Sequence, residues 1–149
     1  MRLAILAAAF AIPTVAMAAD DPVSDTIAAR QGYYKLLGAN MGVLAGMAQG
    51  DIDYDSSSAQ TAADNMVVLT TYDLGHLYMP GTSADDSDKS RALAKIWGDF
   101  AGVQEKGGAF VEAAMAMQAV AGAGKGEMAG ALGALGGSCK GCHDTYRVK

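Results

Sequence analysis

Five consecutive residues, Cys139-Lys140-Gly141-Cys142-His143, bring two thiols and an imidazole together in a chain of 149 residues. On a helix, cysteines three positions apart share one turn. Both sulfurs can then reach the vinyl groups of a single haem, and the adjacent imidazole can sit under its iron. C-x-x-C-H is the spacing of covalent c-type haem attachment. The sequence has no other cysteine. In an exported protein the two thiols could instead form a disulfide or a redox-active pair. Such a redox pair normally opens a helix that follows a strand, whereas this one lies near the end of a helical pattern in a chain without strand patterning. A zinc site would need His76 as a fourth ligand, and no spacing brings His76 near the motif.

Haem held there needs elements to enclose it. Val23, Ile27, Arg30, Tyr34, Leu37, Met41, Leu44 and Ala48 recur at spacings of four and three, the seam of a bundle helix. Pro22 suits its first turn and Gly50 its stop, which predicts a helix over 22–49. After a polar turn at 50–58, whose three serines offer N-caps, Ala59, Ala62, Met66, Leu69, Asp73 and Leu77 predict a second helix ending before Pro80. Residues 80–88 are rich in Gly, Ser, Thr and Asp and read as the longest loop. A third helical run carries Leu93, Ile96, Trp97, Phe100, Val103, Gly107, Phe110, Ala114, Met117 and Ala121, closing in a glycine-rich turn at 122–126. The fourth carries Met128, Leu132, Leu135, Cys139, Cys142 and Tyr146. The fold class is therefore all-α, an antiparallel up-down four-helix bundle. Interior glycines such as Gly32, Gly38, Gly42, Gly46, Gly107 and Gly133 each cost about 1 kcal/mol relative to alanine. Packing or a bound group must offset that cost, and their small size allows close helix approach.

Composition narrows the partners. Half the residues are apolar (51%) and 18% are charged, so the chain has the means to bury a core. Sixteen acidic side chains face 11 basic ones with no basic cluster, which argues against nucleic acid as a partner. Arg2, an apolar run of ten residues at 3–12 and Ala16-Met17-Ala18 read as a secretory signal peptide, cut after Ala18. The run is half the length of a membrane-spanning helix, and no span is expected in the mature chain. Export implies the periplasm. The expected domains are thus 1–18, removed, and 19–149, a haem-binding bundle.

The sequence resembles the cytochrome c′ family, the class II c-type cytochromes. The resemblance rests on Ala29-Arg30-Gln31-Gly32-Tyr33-Tyr34-Lys35, Leu77-Tyr78-Met79-Pro80-Gly81-Thr82, Ile96-Trp97 and Gly136-Gly137-Ser138 leading into the haem motif and on through Asp144-Thr145-Tyr146-Arg147. It covers the whole mature chain. It implies one haem c per chain, thioether links at Cys139 and Cys142, and His143 as proximal iron ligand. The matching arginine and its neighbour lie at the haem propionates in the family, which assigns Arg30 and Gln31 there; the alternative is an arginine whose stem packs while its head reaches solvent. Asp86 matches a position at the haem edge. Tyr34 and Leu37 fall on the distal side, and Arg147 shares a helix face with His143 on the proximal side.

Low-spin relatives place an iron-ligating methionine where this chain has Tyr34. The departure implies five-coordinate, high-spin iron that binds small diatomics, NO and CO, and takes part in one-electron transfer with an unidentified periplasmic redox partner. Met41 is a rival ligand, but it lies two turns further along the seam, about 10 Å at 1.5 Å per residue. The alternatives are a low-spin six-coordinate carrier and a nitric-oxide-scavenging or reducing enzyme; no distal acid/base pair is evident, which favours a non-enzyme. His76 reads as a surface residue, and Trp97, Tyr33, Phe100 and Phe110 as core or interface. Family members commonly dimerise through the first two helices, and Tyr33, Val43 and Met47 would supply the homodimer contact.

Overall fold

Asp21 opens the first helix, accepting the Val23 N–H at 3.2 Å, with Pro22 at a position whose missing N–H costs nothing. The computed structural model describes residues 21–149, and the expected signal segment 1–18 lies outside them. Helix α1 is Pro22–Gln49; it stops at Gly50, whose φ of +87° lets its N–H return to the Gly46 carbonyl. Helix α2 is Ser56–Thr70, α3 is Phe100–Val120 and α4 is Lys125–Tyr146. Neighbours run α1 to α2 to α3 to α4 and back to α1, the four-helix bundle that the periodicity predicted. No strand is present among the described residues, and none of their helices is long and apolar enough to cross a membrane.

Three local expectations are corrected. Asp55 caps α2, accepting the Ser58 N–H at 2.7 Å, while the three serines form its first turn. That helix also ends seven residues before Leu77, because the Thr70 and Thr71 hydroxyls bond back to the Val67 and Val68 carbonyls and Asp73 turns the chain through the Gly75 N–H. The 3-10 turn Gly75–Leu77 then buries Leu77, so the apolar spacing continues without the helix. Likewise Leu93, Ile96 and Trp97 precede α3, with Ala94–Gly98 forming a second 3-10 turn and Asp99 capping the helix. The long connection between α2 and α3 is residues 71–99.

The close-approach account of the glycines is corrected too. A Cβ at Gly32, Gly38, Gly42, Gly107 or Gly133 would meet nothing within 4 Å, and only Gly46 of that set touches a neighbour, Ile52.

Burial is uneven along the bundle. At the end formed by the α1–α2 and α3–α4 turns, Leu44, Met47, Ala59, Ala62, Ala63, Met66, Ala114, Met117, Ala121, Met128 and Leu135 form a continuous core. A polar cluster closes that end: the Gln60 amide donates to the Gln118 carbonyl and to Asp64, and the Tyr54 hydroxyl donates to the Ala121 carbonyl. Toward the other end the helices bury little. No residue is buried within 31–43 of α1, 100–113 of α3 or 136–145 of α4. The side chains of α1, α3 and α4 are only partly buried or exposed there, a sparsely packed slot in the bundle.

Candidate functional site

Cys139 and Cys142 lie on the slot side of the last turns of α4, both free and half-buried. Burial pushes both thiols above the usual cysteine range, with each other's charge adding to the effect at Cys142. His143 follows on the exposed rim of the helix. Partial burial, then the Arg147 and Arg91 cations, hold its imidazolium pKa below the usual histidine value, which favours the neutral ring with one nitrogen free to accept. An Arg147 Nη1 lies 3.4 Å from His143 Nδ1, where only the guanidinium can donate. Lys140 and Asp144 pair on the outer face. The end of α4 is fixed by the connection: Ala92 and Arg147 form an antiparallel bridge, with Leu93 N–H bonding the Tyr146 carbonyl at 3.0 Å and Val148 N–H the Arg91 carbonyl at 2.9 Å.

Tyr34 projects from α1 toward this slot, 42% exposed, and its hydroxyl meets that of Tyr78 at 2.7 Å. Desolvation at the hydroxyls pushes both tyrosines above their ordinary range, and the charge of Cys142 adds to each. Two half-buried thiols and an aromatic pair thus lie at the sparsely packed end of the bundle, with the imidazole exposed beside them. The described chain matches a family model described as Cytochrome C' over residues 25–147. The chain belongs to the cytochrome c′ family.

Among members of the family, the cytochrome c′ of Cereibacter sphaeroides is 48% identical over 150 residues, covering 100% of this chain and 99% of that one. A solved cytochrome c′ from Rhodobacter Spheriodes superposes with a TM-score of 0.83 at 48% identity, over 85% of this chain and 98% of that one. A ferrous variant of the Alcaligenes xylosoxidans cytochrome c′, solved with bound NO, matches at a TM-score of 0.72 and 26% identity, over 85% and 96% of the two chains. Haem c is covalently bound in cytochromes c′, and this chain's two cysteines are the thiols for it. The residues present fit the group: two thiols three positions apart and an adjacent imidazole sit on turns of α4 that carry no fully buried side chain between Leu135 and Tyr146.

The other predicted positions divide. Leu37 is half-buried at the margin between slot and core. Met41 packs into the core cluster, its methyl 3.3 Å from where a Cβ on Gly136 would stand. Arg30 is 4% exposed, and its terminal nitrogens are engaged by the α2–α3 connection. Its Nη1 donates to the Leu77 carbonyl at 3.0 Å and the Thr82 hydroxyl at 2.9 Å; its Nη2 donates to the Thr82 carbonyl at 2.7 Å and the Ser90 hydroxyl at 3.0 Å. The connection itself satisfies the guanidinium. Gln31 does the same on a smaller scale, donating to the Lys89 carbonyl at 2.6 Å. Asp86 accepts from the Ser83 hydroxyl at 2.6 Å and the Ser83 N–H at 3.2 Å, holding its own turn.

His76 has a partner that the sequence did not reveal, the Tyr72 hydroxyl at 3.1 Å. Tyr78 was missed as a site residue, since its contact with Tyr34 spans 44 positions. The signal available was its place next to Leu77, the one buried residue of its turn.

The predicted dimer contact is also revised. Met47 is 2% exposed and belongs to the core, and Tyr33 donates its hydroxyl to the Leu69 carbonyl. The apolar surface of the first two helices is carried instead by Leu36 and Val68, 56% and 66% exposed.

Proposed function

We propose that this cytochrome c′ is a periplasmic protein with five-coordinate, high-spin haem iron that binds NO and CO and takes part in one-electron transfer. The observation that carries it is the residue over the slot: a tyrosine, tied to Tyr78, where a ligating methionine would make a closed, low-spin centre. The NO-bound solved relative supports the choice of ligand.

The bound haem supplies an iron with an open sixth position and a one-electron redox couple. Cys139 and Cys142 would hold its ring by thioether bonds and His143 would ligate from the proximal side. The chain's remaining work is steric and electrostatic. Tyr34, fixed by its hydrogen bond, stands as a steric lid that restricts the iron to small ligands. Arg147 beside His143 places a cation at the proximal ring, where it favours an electron-rich or anionic ligand. Near Tyr34 the one strong cation is Arg30, whose terminal donors are taken, so the distal side lacks a group to move protons.

The test is the visible and electron paramagnetic resonance spectrum of holoprotein recovered from the periplasmic fraction, ferric and ferrous, with and without CO and NO. A high-spin spectrum that shifts with CO supports the proposal, and an intact mass beginning at residue 19 supports the export. A low-spin spectrum indifferent to CO makes the protein a simple carrier, and turnover of NO with added reductant makes it an enzyme. Tyr34→Met is expected to convert the high-spin spectrum to a low-spin one that no longer takes up CO.

A homodimer through α1 and α2 is proposed on the exposed Leu36 and Val68. Val68→Asp is expected to shift sedimentation from the dimer to the monomer mass with no change in the visible spectrum. A wild-type protein that sediments as a monomer overturns it.

A further inference from the structure

Four of the six tyrosines lie in one connected series. The Tyr78 hydroxyl bonds that of Tyr34 at 2.7 Å; the Tyr34 and Tyr33 rings meet edge to face at 5.1 Å; Tyr33 stacks on Tyr72 at 6.1 Å, 28° from parallel. Tyr72 ends the series, 50% exposed, with its hydroxyl 3.1 Å from His76 Nε2. We infer that Tyr34, Tyr33 and Tyr72 are a relay that carries an oxidising equivalent from the haem slot to the surface, where Tyr72 holds it as a neutral phenoxyl radical. This rests on the reading above that Tyr34 faces the haem.

Direction follows from where a proton can go. A phenol oxidised by one electron becomes a strong acid, so the radical settles where a base accepts its proton. Tyr33 donates to a backbone carbonyl and Tyr34 shares its hydrogen bond with another phenol, and neither partner is a base. Tyr72 faces an imidazole. The side branch is closed electrostatically: the Arg30 guanidinium stands 5.1 Å from the Tyr78 ring centre and 6.0 Å from that of Trp97, and a cation over a ring disfavours removing an electron from it. Tyr146 is the competitor, since its hydroxyl donates to Asp99 at 2.7 Å. Lys95, 5.2 Å above its ring, opposes oxidation there, and the Asp99 carboxyl, held below its usual range first by that same hydrogen bond, is a poor proton acceptor.

The co-reactant is a hydroperoxide. Breaking the O–O bond of ROOH to give ROH and water takes two electrons and two protons. One electron comes from ferrous haem, leaving it ferric; the protons come from solvent. The second electron comes from Tyr72 by way of Tyr33 and Tyr34. The Tyr72 O–H bond breaks and its proton goes to His76.

The experiment mixes ferrous holoprotein with one equivalent of hydrogen peroxide, without oxygen and with a nitroso spin trap, and maps the adduct by mass spectrometry beside a freeze-quenched paramagnetic resonance spectrum. The expected result is a tyrosyl signal and an adduct on Tyr72. In Tyr33→Phe, which keeps the ring stack, the Tyr72 adduct falls to background and the adduct remains on Tyr34. His76→Gln, which keeps a hydrogen bond without a base, also loses the Tyr72 signal. An adduct mainly on Tyr146 or Trp97, or a Tyr72 adduct undiminished in Tyr33→Phe, overturns the relay. CO binding is read on the ferrous protein before the peroxide is added. A protein that binds CO but gives no Tyr72 adduct overturns the relay alone, and one that does neither overturns the gas-binding reading with it.

Discussion

An Arg30→Met variant is expected to lose about 1–3 kcal/mol of unfolding free energy for each buried acceptor it leaves without a donor. Two carbonyls and two hydroxyls, from Leu77, Thr82 and Ser90, converge on the guanidinium. With methionine in place, buried acceptors lose their donors and cannot regain water without opening the connection. The connection also carries Tyr78, so the loss extends to the Tyr34 hydroxyl pair and to the Trp97 indole, which donates to the Tyr78 carbonyl at 2.9 Å. Arg30→Lys is expected to recover part of the loss, because an ammonium keeps the charge but not the planar set of donors. Gln31→Ala, which removes one hydrogen bond, should cost only about 0.5–1.5 kcal/mol. Denaturant titration of the holoprotein measures all three, and an Arg30→Met midpoint near that of Gln31→Ala would mean the connection is held by something else.

Replacing both thiols has a different signature. In Cys139→Ala/Cys142→Ala the haem should extract completely into acidified organic solvent, where the wild-type haem stays with the polypeptide. Haem in that variant becomes an ordinary ligand. Its contribution to stability then depends on its concentration, about 2.7 kcal/mol at 100 times the dissociation constant and about 4.1 kcal/mol at 1,000 times. On dilution the unfolding midpoint of the double variant should fall further than that of the wild type, whose concentration dependence is that of the dimer alone. Equal behaviour of the two proteins on dilution, with complete extraction of the variant haem, would mean that the slot contributes little to folding.

Helix α1 was legible from end to end because both of its stops are local chemistry: an acidic cap and a proline at one end, a glycine with positive φ at the other. The margins of the 71–99 connection were not. Leu77 and Ile96 are buried as if on helices, and a spacing of apolar residues cannot say whether the backbone between them is α or 3-10. The same contrast runs through the site. Cys139, Cys142 and His143 are contiguous and could be read directly. Arg30 was recognised as an unusual charge on an apolar seam, but its partners lie 47 to 60 positions away, and the nearest candidate by family likeness was a propionate. Tyr78 and Tyr72 acquire their roles only once a connection folds back onto α1.

The uneven burial of the bundle also bears on the order in which the molecule is made. The closed end consists of two helical hairpins with short turns and carries nearly all the apolar packing, so its contacts are local and can form early. The thiol-bearing turns of α4 belong to the sparsely packed end, where opening costs least. A chain not yet modified is therefore expected to be half assembled, firm at the hairpin turns and loose around Cys139 and Cys142. Those sulfurs are then accessible to whatever joins them to haem, and the fold is completed by the act of attachment.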